Sequence, residues 1–507
     1  MIGFRFATLL FLGALFLPAQ ELRDYEKKVT EFTLANGLHF ILVERHQVPV
    51  VSFHTYVTAG SAQDPAGKTG LASLIARLAF DGTETIGSRN WPAEKKALDE
   101  VEEVYDRVDE ERAKGPKSSP GALALLEAGE NPALTAAFRE QNIDEYLRAI
   151  QENGGVGIDS HATPDSIETS YSLPSNRIEL WFVLESQRMA LPVFRDFYRE
   201  RRKLSNDIAA LMGPQSALRL RQSLLATAFE NLPYRNPVLG WRADVEDLRP
   251  ADAKAFLDTY GGPGNTIVSI VGDVDPVGAQ RLAERYFGPI PAKAHPRPMD
   301  LQEAPQAGPK TVAIWSDAQP LLTIGYKRPA ETHRDDPALD VVATILGDKH
   351  TGWLRKELVE ERRLAQSVEA IANFPSGRYV SLFVLSAVPN QDHTVEENRK
   401  AIDELLARLQ SKPVEAETLA RAKNILRGRF VRMFGSNREL AALLPLVYAN
   451  YGDWRKILAM AGEYDRLTAE DIQRVAAQYF VPTGRTTAYL TRPPEPGRAA
   501  SNPGEQQ

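Results

Sequence analysis

The sequence predicts an α+β protein made of two tandem, related units, and three observations carry that reading. The chain has 507 residues, more than the roughly 250–300 at which a single hydrophobic core stops growing. Short β-like runs interleave with apolar-periodic helical stretches, the pattern of sheets packed against helices. The pattern Leu248-x3-Asp252-x7-Tyr260-x2-Pro263 also recurs as Leu467-x3-Asp471-x7-Tyr479-x2-Pro482, at a constant offset of 219 residues. Solenoid repeats are about 20–50 residues long, so this spacing reads as one duplicated domain.

Composition narrows the function classes. The hydrophobic fraction of 43% and charged fraction of 25% are those of an ordinary globular chain. A net charge of -7 gives no electrostatic basis for binding nucleic acid or an anionic membrane. The chain has no cysteine, which excludes disulfides, thiolate metal sites, cysteine nucleophiles and a lipid-anchored N-terminus. Residues 1–20 read as a signal peptide: Arg5 supplies the positive start, Phe6 to Leu17 form an apolar stretch too short to span a bilayer, and cleavage falls near Pro18-Ala19-Gln20. The alternative is an uncleaved membrane anchor. The mature chain is therefore expected to be exported, to the periplasm or the outside.

The elements follow in order. Val29 to Val57 contains β-runs around Asn36-Gly37, a hairpin signal. A helix is expected from Leu71 to Phe80, closed by Gly82, with positions 73, 76 and 77 on one face. From about 91 to 150 the texture is that of a charged helical-hairpin insertion, with a first helix through Leu98, Val101 and Tyr105, a break at 115–121 and a second run from Phe138 to Ile150. Strands are expected at Gly155 to Ala162, Thr169 to Leu173 and Thr266 to Val271, and helices at Ile178 to Met189 and Phe194 to Leu211. The proline-rich stretch 289–309 reads as a linker between a first domain at 21–288 and a second at 310–495, followed by a disordered tail at 496–507.

The frame Gly70-Leu71-Ala72, Leu78-x-Phe80-x-Gly82-Thr83, together with Glu200-Arg201, Pro233-Tyr234 and Gly240-Trp241, resembles the pitrilysin (insulinase) family of zinc metallopeptidases. The resemblance implies two tandem domains, each a mostly antiparallel sheet packed against helices, of which only the first binds zinc. Active members carry H-x-x-E-H on the corresponding helix, with two His ligands and a Glu that activates the metal-bound water. Here Ser73 replaces the first His, Ala76 the Glu and Arg77 the second His, and the position of the third ligand, a Glu, holds Asp207. Active members also contribute an Arg and a Tyr from the second domain, where this chain has Val359 and Gln366. Their substrates add to an edge strand whose place is taken here by Asp159-Ser160-His161-Ala162.

Residue chemistry supports loss of the metal independently. The eight histidines are scattered, the closest pair being seven residues apart, so none has the i, i+4 spacing of a helical zinc pair. A guanidinium stays protonated and has no lone pair to donate. At about 4 Å from a divalent cation and an effective dielectric of about 20, it would oppose binding by roughly 8 kcal/mol. Arg77 is expected either to occupy the metal's place against Asp207 or to extend into solvent while Asp207 sits on an exposed helix face. Two other motifs are dismissed. Gly67-Lys68-Thr69 lacks the first glycine of a phosphate loop, since position 62 is alanine, and Gly154-Gly155-Val156-Gly157 leads into a strand.

The expectation is a catalytically inactive homologue without a cofactor, where active relatives hold zinc. It would be a peptide-clamping subunit paired with an active zinc-bearing relative, with unfolded peptides as ligands. Two alternatives stay open: a stand-alone exported peptide-binding or assembly protein, and an active zinc-dependent endopeptidase using an unrecognised site. No nucleic-acid partner is expected, and no membrane contact beyond the signal segment.

Overall fold

The computed structural model describes residues 26–491, except 214–216, 298 and 301; for 127–131 and 461 it describes the backbone alone. The expected signal segment and the tail lie outside the described residues.

Six strands form the first sheet: β1 (Val29–Thr33), β2 (His39–Glu44), β3 (Val50–Val57), β4 (Val156–Ala162), β5 (Ile167–Pro174) and β6 (Thr266–Gly272), in the order β1-β2-β6-β3-β5-β4. Only β2 and β6 run parallel. The second sheet holds β7 (Lys310–Trp315), β8 (Leu321–Arg328), β9 (Ala365–Phe374), β10 (Ser381–Pro389) and β11 (Arg485–Thr491), in the order β7-β11-β8-β10-β9. It repeats β2-β6-β3-β5-β4 strand for strand, including the one parallel pair, β7 with β11. The sequence repeat is thus the visible part of a duplicated α+β architecture.

The helices that position the site come mostly from the first half. They are α1 (Leu71–Arg77), α2 (Trp91–Ala113), α3 (Pro120–Arg139), α4 (Glu145–Glu152), α5 (Ile178–Ala190), α6 (Phe197–Leu211), α7 (Ala217–Ala228), α8 (Pro250–Tyr260) and α9 (Pro276–Tyr286). In the second half, α10 (Asp336–Gly347), α11 (Val395–Ser411) and α13 (Ala469–Tyr479) cover one sheet face, with α12 (Asn437–Tyr451) between α11 and α13 in sequence. Three expected boundaries shift. The helix of the Gly-Leu-Ala frame ends at Arg77, because the next turn tightens into Ala79-to-Ala76 and Asp81-to-Leu78 backbone bonds. The helix expected from Phe194 begins at Phe197. The second insertion helix spans 120–139 rather than Phe138 to Ile150, and the chain turns at Asp144 (φ 55) before α4.

Each half lends a helix to the other. One face of the first sheet packs Phe40, Leu42 and Phe53 against Trp181 and Phe182 of α5 and Phe287 beyond α9. Its other face packs Ile41, Val43, Ile267 and Val271 against Leu440, Ala441 and Leu444 of α12. In exchange, α7 lays Leu220, Leu224 and Leu225 on Leu382, Val384, Ala488 and Leu490 of the second sheet. Both sheets are therefore buried on two faces, which is why β2 and β6 read as continuous apolar runs rather than alternating ones. Polar bonds lock the exchange: Arg45 donates to Asn437 Oδ1 at 3.1 Å, and Trp454 Nε1 to Glu31 Oε2 at 3.0 Å.

Candidate functional site

Helix α1 is set in place by its first turn. Gly70 adopts φ 88, and a Cβ there would meet the Leu239 carbonyl at 2.5 Å; a Cβ on Gly240 would meet the Thr69 carbonyl at 2.3 Å. The two glycines therefore let the Gly240-Trp241 segment press against the helix start. Thr69 Oγ1 donates to Asp244 Oδ2 at 2.6 Å and accepts the Trp241 N–H at 2.8 Å. Asp64 accepts the N–H groups of Gly70 and Ala72 at 2.8 and 2.9 Å, standing where the helix leaves donors unsatisfied. Burial pushes its carboxyl up to about 7, against the pull of those backbone donors.

On the face that α1 presents, Ser73 is buried and its Oγ donates to the Val238 carbonyl at 2.6 Å. Ala76 is buried as well. Arg77 reaches out from the last turn, and its Nη2 lies 2.7 Å from Asp207 Oδ2 on α6. Of the two arrangements open for Arg77, the pairing with Asp207 is the one present. The pair stays in contact with water, the side chains being 29% and 49% exposed. This donor set does not fit zinc. Position 77 offers a guanidinium, the Ser73 hydroxyl is committed to a carbonyl, and no base stands at 76. Among the described residues, no group of three or more His, Cys, Asp or Glu side chains is placed to hold an ion.

Beside the pair is a cavity of about 230 Å³, lined in part by Arg77, Asp81, Asn142, Asp144, Glu200 and Lys203. Its cations are matched: Arg199 pairs with Asp196, Lys203 with Glu200 at 2.6 Å, and Arg195 with buried Glu94 at 2.6 Å. Arg195 also donates to the Asp81 carbonyl at 2.9 Å and to the Thr83 carbonyl, tying the insertion to the turn after α1. Burial, reinforced by Asp196, pushes the Asp81 carboxyl well above the usual carboxylate range.

Strand β4 lies at the end of the first sheet and against α1. Asp159 and His161 are exposed and bonded to each other, Oδ2 to Nδ1, at 2.8 Å; Ser160 Oγ is 3.4 Å from Thr169 Oγ1, and Ala162 packs toward α1. A register break between Val156 and Asp159 bends the strand, with Gly157 at φ 64. Under the strand, His54 Nε2 lies 2.9 Å from Glu168 Oε2, and His161 Nε2 is 3.9 Å from the same oxygen. In the second half, Val359 sits in a π-helical stretch, Arg355–Glu361, with its side chain against the core. Gln366 is exposed near the start of edge strand β9.

Several positioning residues were not found from sequence. Asp64 gave no helical-cap spacing, being six residues before Gly70. Arg378 reaches Thr58 O at 3.4 Å, Ala449 O at 3.3 Å and Asn450 Oδ1 at 3.3 Å, joining segments hundreds of residues apart. Tyr234 was recognised as part of the Pro-Tyr frame pair, but its positioning bond was not: it donates to Asp165 at 2.8 Å.

A sheet-and-helix unit used twice, with a short helix against an edge strand, is the arrangement that the sequence resemblance implies, and Ser73, Ala76 and Arg77 give that helix no metal ligand. Comparison with known proteins agrees. The family description "Peptidase M16 inactive domain" matches residues 247–426. The chain is 25% identical over 499 residues to the zinc protease PqqE of Helicobacter pylori, covering 97% of this chain and 98% of that protein. A protease of Helicobacter pylori of known crystal structure superposes with a TM-score of 0.76 at 23% identity, over 92% of this chain and 99% of that one. The periplasmic protease PqqL of Escherichia coli superposes with a TM-score of 0.67 at 13% identity, over 92% of this chain but 48% of that one. The chain is thus similar to pitrilysin-type (M16) peptidases over nearly its whole length, and it is degenerate in the H-x-x-E-H motif, where Ser73, Ala76 and Arg77 stand.

Proposed function

We propose that the chain is an exported, peptide-clamping subunit that works beside an active, zinc-bearing relative. The observation that carries this reading is the Arg77–Asp207 pair next to edge strand β4. The metal's place is filled by a side-chain cation, while the strand that would receive a peptide keeps its outer edge. Strand addition rests on backbone hydrogen bonds, so it survives the loss of every catalytic side chain. Export rests on the N-terminal pattern; among the described residues no helix is long and apolar enough to cross a membrane.

The test is affinity purification from the native source, followed by identification of what is retained. The expected result is a stoichiometric partner containing an intact H-x-x-E-H motif, with unfolded peptide bound more tightly by the pair than by this chain. Recovery of this chain alone, binding peptide at full strength, would instead establish a stand-alone binding protein.

A further inference from the structure

A second cavity lies behind α1, where the insertion closes over the first domain. Its volume is about 500 Å³, within the roughly 300–1,000 Å³ of small-molecule sites. Its walls are largely apolar: Ile75 from α1 and Leu78 just after it, Leu98 and Val101 from α2, Phe194 before α6, and Leu257 from α8. Packed interiors leave few voids larger than a water molecule, so an apolar space of this size is a binding site in form.

The lining includes five cationic and four acidic side chains. Arg188 and Arg195 are matched by buried Glu185 and Glu94, which leaves three lysines at the rim. Two of these lysines share a carboxylate. Lys254 Nζ lies 2.6 Å and Lys293 Nζ 3.4 Å from the two oxygens of the single carboxylate Asp258, while the Leu257 carbonyl takes a further bond from Lys293 at 3.1 Å. The other rim lysine, Lys95, is matched one-to-one by Asp99 at 2.8 Å. An apolar chamber with two ammonium groups sharing one carboxylate suits a ligand with a long hydrocarbon body and one anionic head.

We propose that this cavity binds a single-chain anionic amphiphile, a fatty acid or the acyl chain of a lysolipid, with its head at Lys254 and Lys293. The chain would lie against Ile75 and Leu78 and brace the rear of the helix whose front carries Arg77. The site is built by the insertion, which otherwise has only a structural use. It does not depend on the peptide-clamping reading.

The experiment is calorimetric titration of the purified full chain, stripped of lipid, with decanoate, dodecanoate and tetradecanoate below their micelle concentrations. Dodecyltrimethylammonium and dodecanol serve as controls. One ligand per chain is expected, with affinity rising about fourfold for each added methylene and a raised Tm on binding. Lys254→Gln/Lys293→Gln, on the exposed rim, should weaken the carboxylates by about fivefold to tenfold while leaving dodecanol unchanged. Leu98→Trp, filling the chamber, should abolish all binding; a Tm close to that of the wild type would confirm that it folds. Absence of saturable binding at every chain length would overturn the proposal. So would equal binding by folded Leu98→Trp, or preference for the cationic amphiphile. Extraction of bound lipid from freshly purified protein separates the sources, since free fatty acid and lysolipid differ in mass.

Discussion

Replacing Ser73 and Arg77 with histidine tests whether the ligand positions still converge. The structure brings the side chain at 77 within 2.7 Å of Asp207, and position 73 lies one turn earlier on the same face of α1. Imidazoles introduced at 73 and 77 would therefore meet Asp207 at one point. The cost to the metal-free fold is moderate: the Ser73–Val238 hydrogen bond contributes about 1 kcal/mol, an imidazole at the buried position 73 costs a further ~1–3 kcal/mol in overpacking, and a pair as exposed as Arg77–Asp207 contributes less than about 1 kcal/mol. The gain toward zinc is larger. Removing a guanidinium about 4 Å from a divalent cation relieves about 8 kcal/mol at an effective dielectric of about 20, roughly six powers of ten in affinity. Ser73→His/Arg77→His should therefore bind zinc with a Kd near or below about 1 μM, and excess zinc at about 100 times Kd should stabilise it by about 2.7 kcal/mol. Ser73→His alone should bind no zinc. Titration calorimetry and thermal unfolding with and without zinc read both. A double variant that folds but ignores zinc, or a single variant that binds as tightly, would refute the convergence drawn from the structure.

Burial should separate two ion pairs of similar chemistry. Arg77→Ala should cost less than about 1 kcal/mol, whereas Glu94→Ala, which leaves the buried Arg195 charge uncompensated, should cost about 3–5 kcal/mol in urea unfolding. Leu440 and Leu224 are fully buried on the exchanged helices, so each Leu→Ala change should cost about 2–5 kcal/mol and lower one common calorimetric transition; two separately moving transitions would contradict the exchange. Asp64 sets a pH dependence. Its folded pKa of about 7 lies above the ordinary value of 3.8, so the folded chain holds a proton the unfolded chain releases. Stability from this group is full below about pH 4 and is lost as the pH rises through about 7, by on the order of 4 kcal/mol. Asp64→Asn should flatten that slope in unfolding curves taken at about pH 5 and about pH 8, on either side of the folded pKa.

What was legible in the sequence was what repeats locally. The Gly-Leu-Ala and Gly-Trp segments could be recognised because two glycines must accept a close backbone approach, and the 219-residue offset showed because a helix, a Pro turn and a strand recur together. That Ser73, Ala76 and Arg77 share one helix face was legible from their spacing, whereas the contact of Arg77 with Asp207 was one of two arrangements left open. The exchange of α7 and α12 was not, since an amphipathic helix shows that it buries a face but not on which sheet. The insertion boundary differs because the residues around 138–150 have helical spacing, while Asp144, in a left-handed conformation, breaks the run without a glycine or proline to announce it. Asp64, Arg378 and the Asp258 lysine pair act through partners brought near only by folding.

The face formed by Ser73, Ala76 and Arg77 offers no metal ligand and no general base. The most direct test of that claim is incubation of the purified chain with stoichiometric zinc and an unfolded peptide, followed by mass spectrometry of the peptide and metal analysis of the protein. No retained zinc and an intact peptide are expected. Zinc retained in proportion to protein, with cleavage that a chelator stops and added zinc restores, would contradict it.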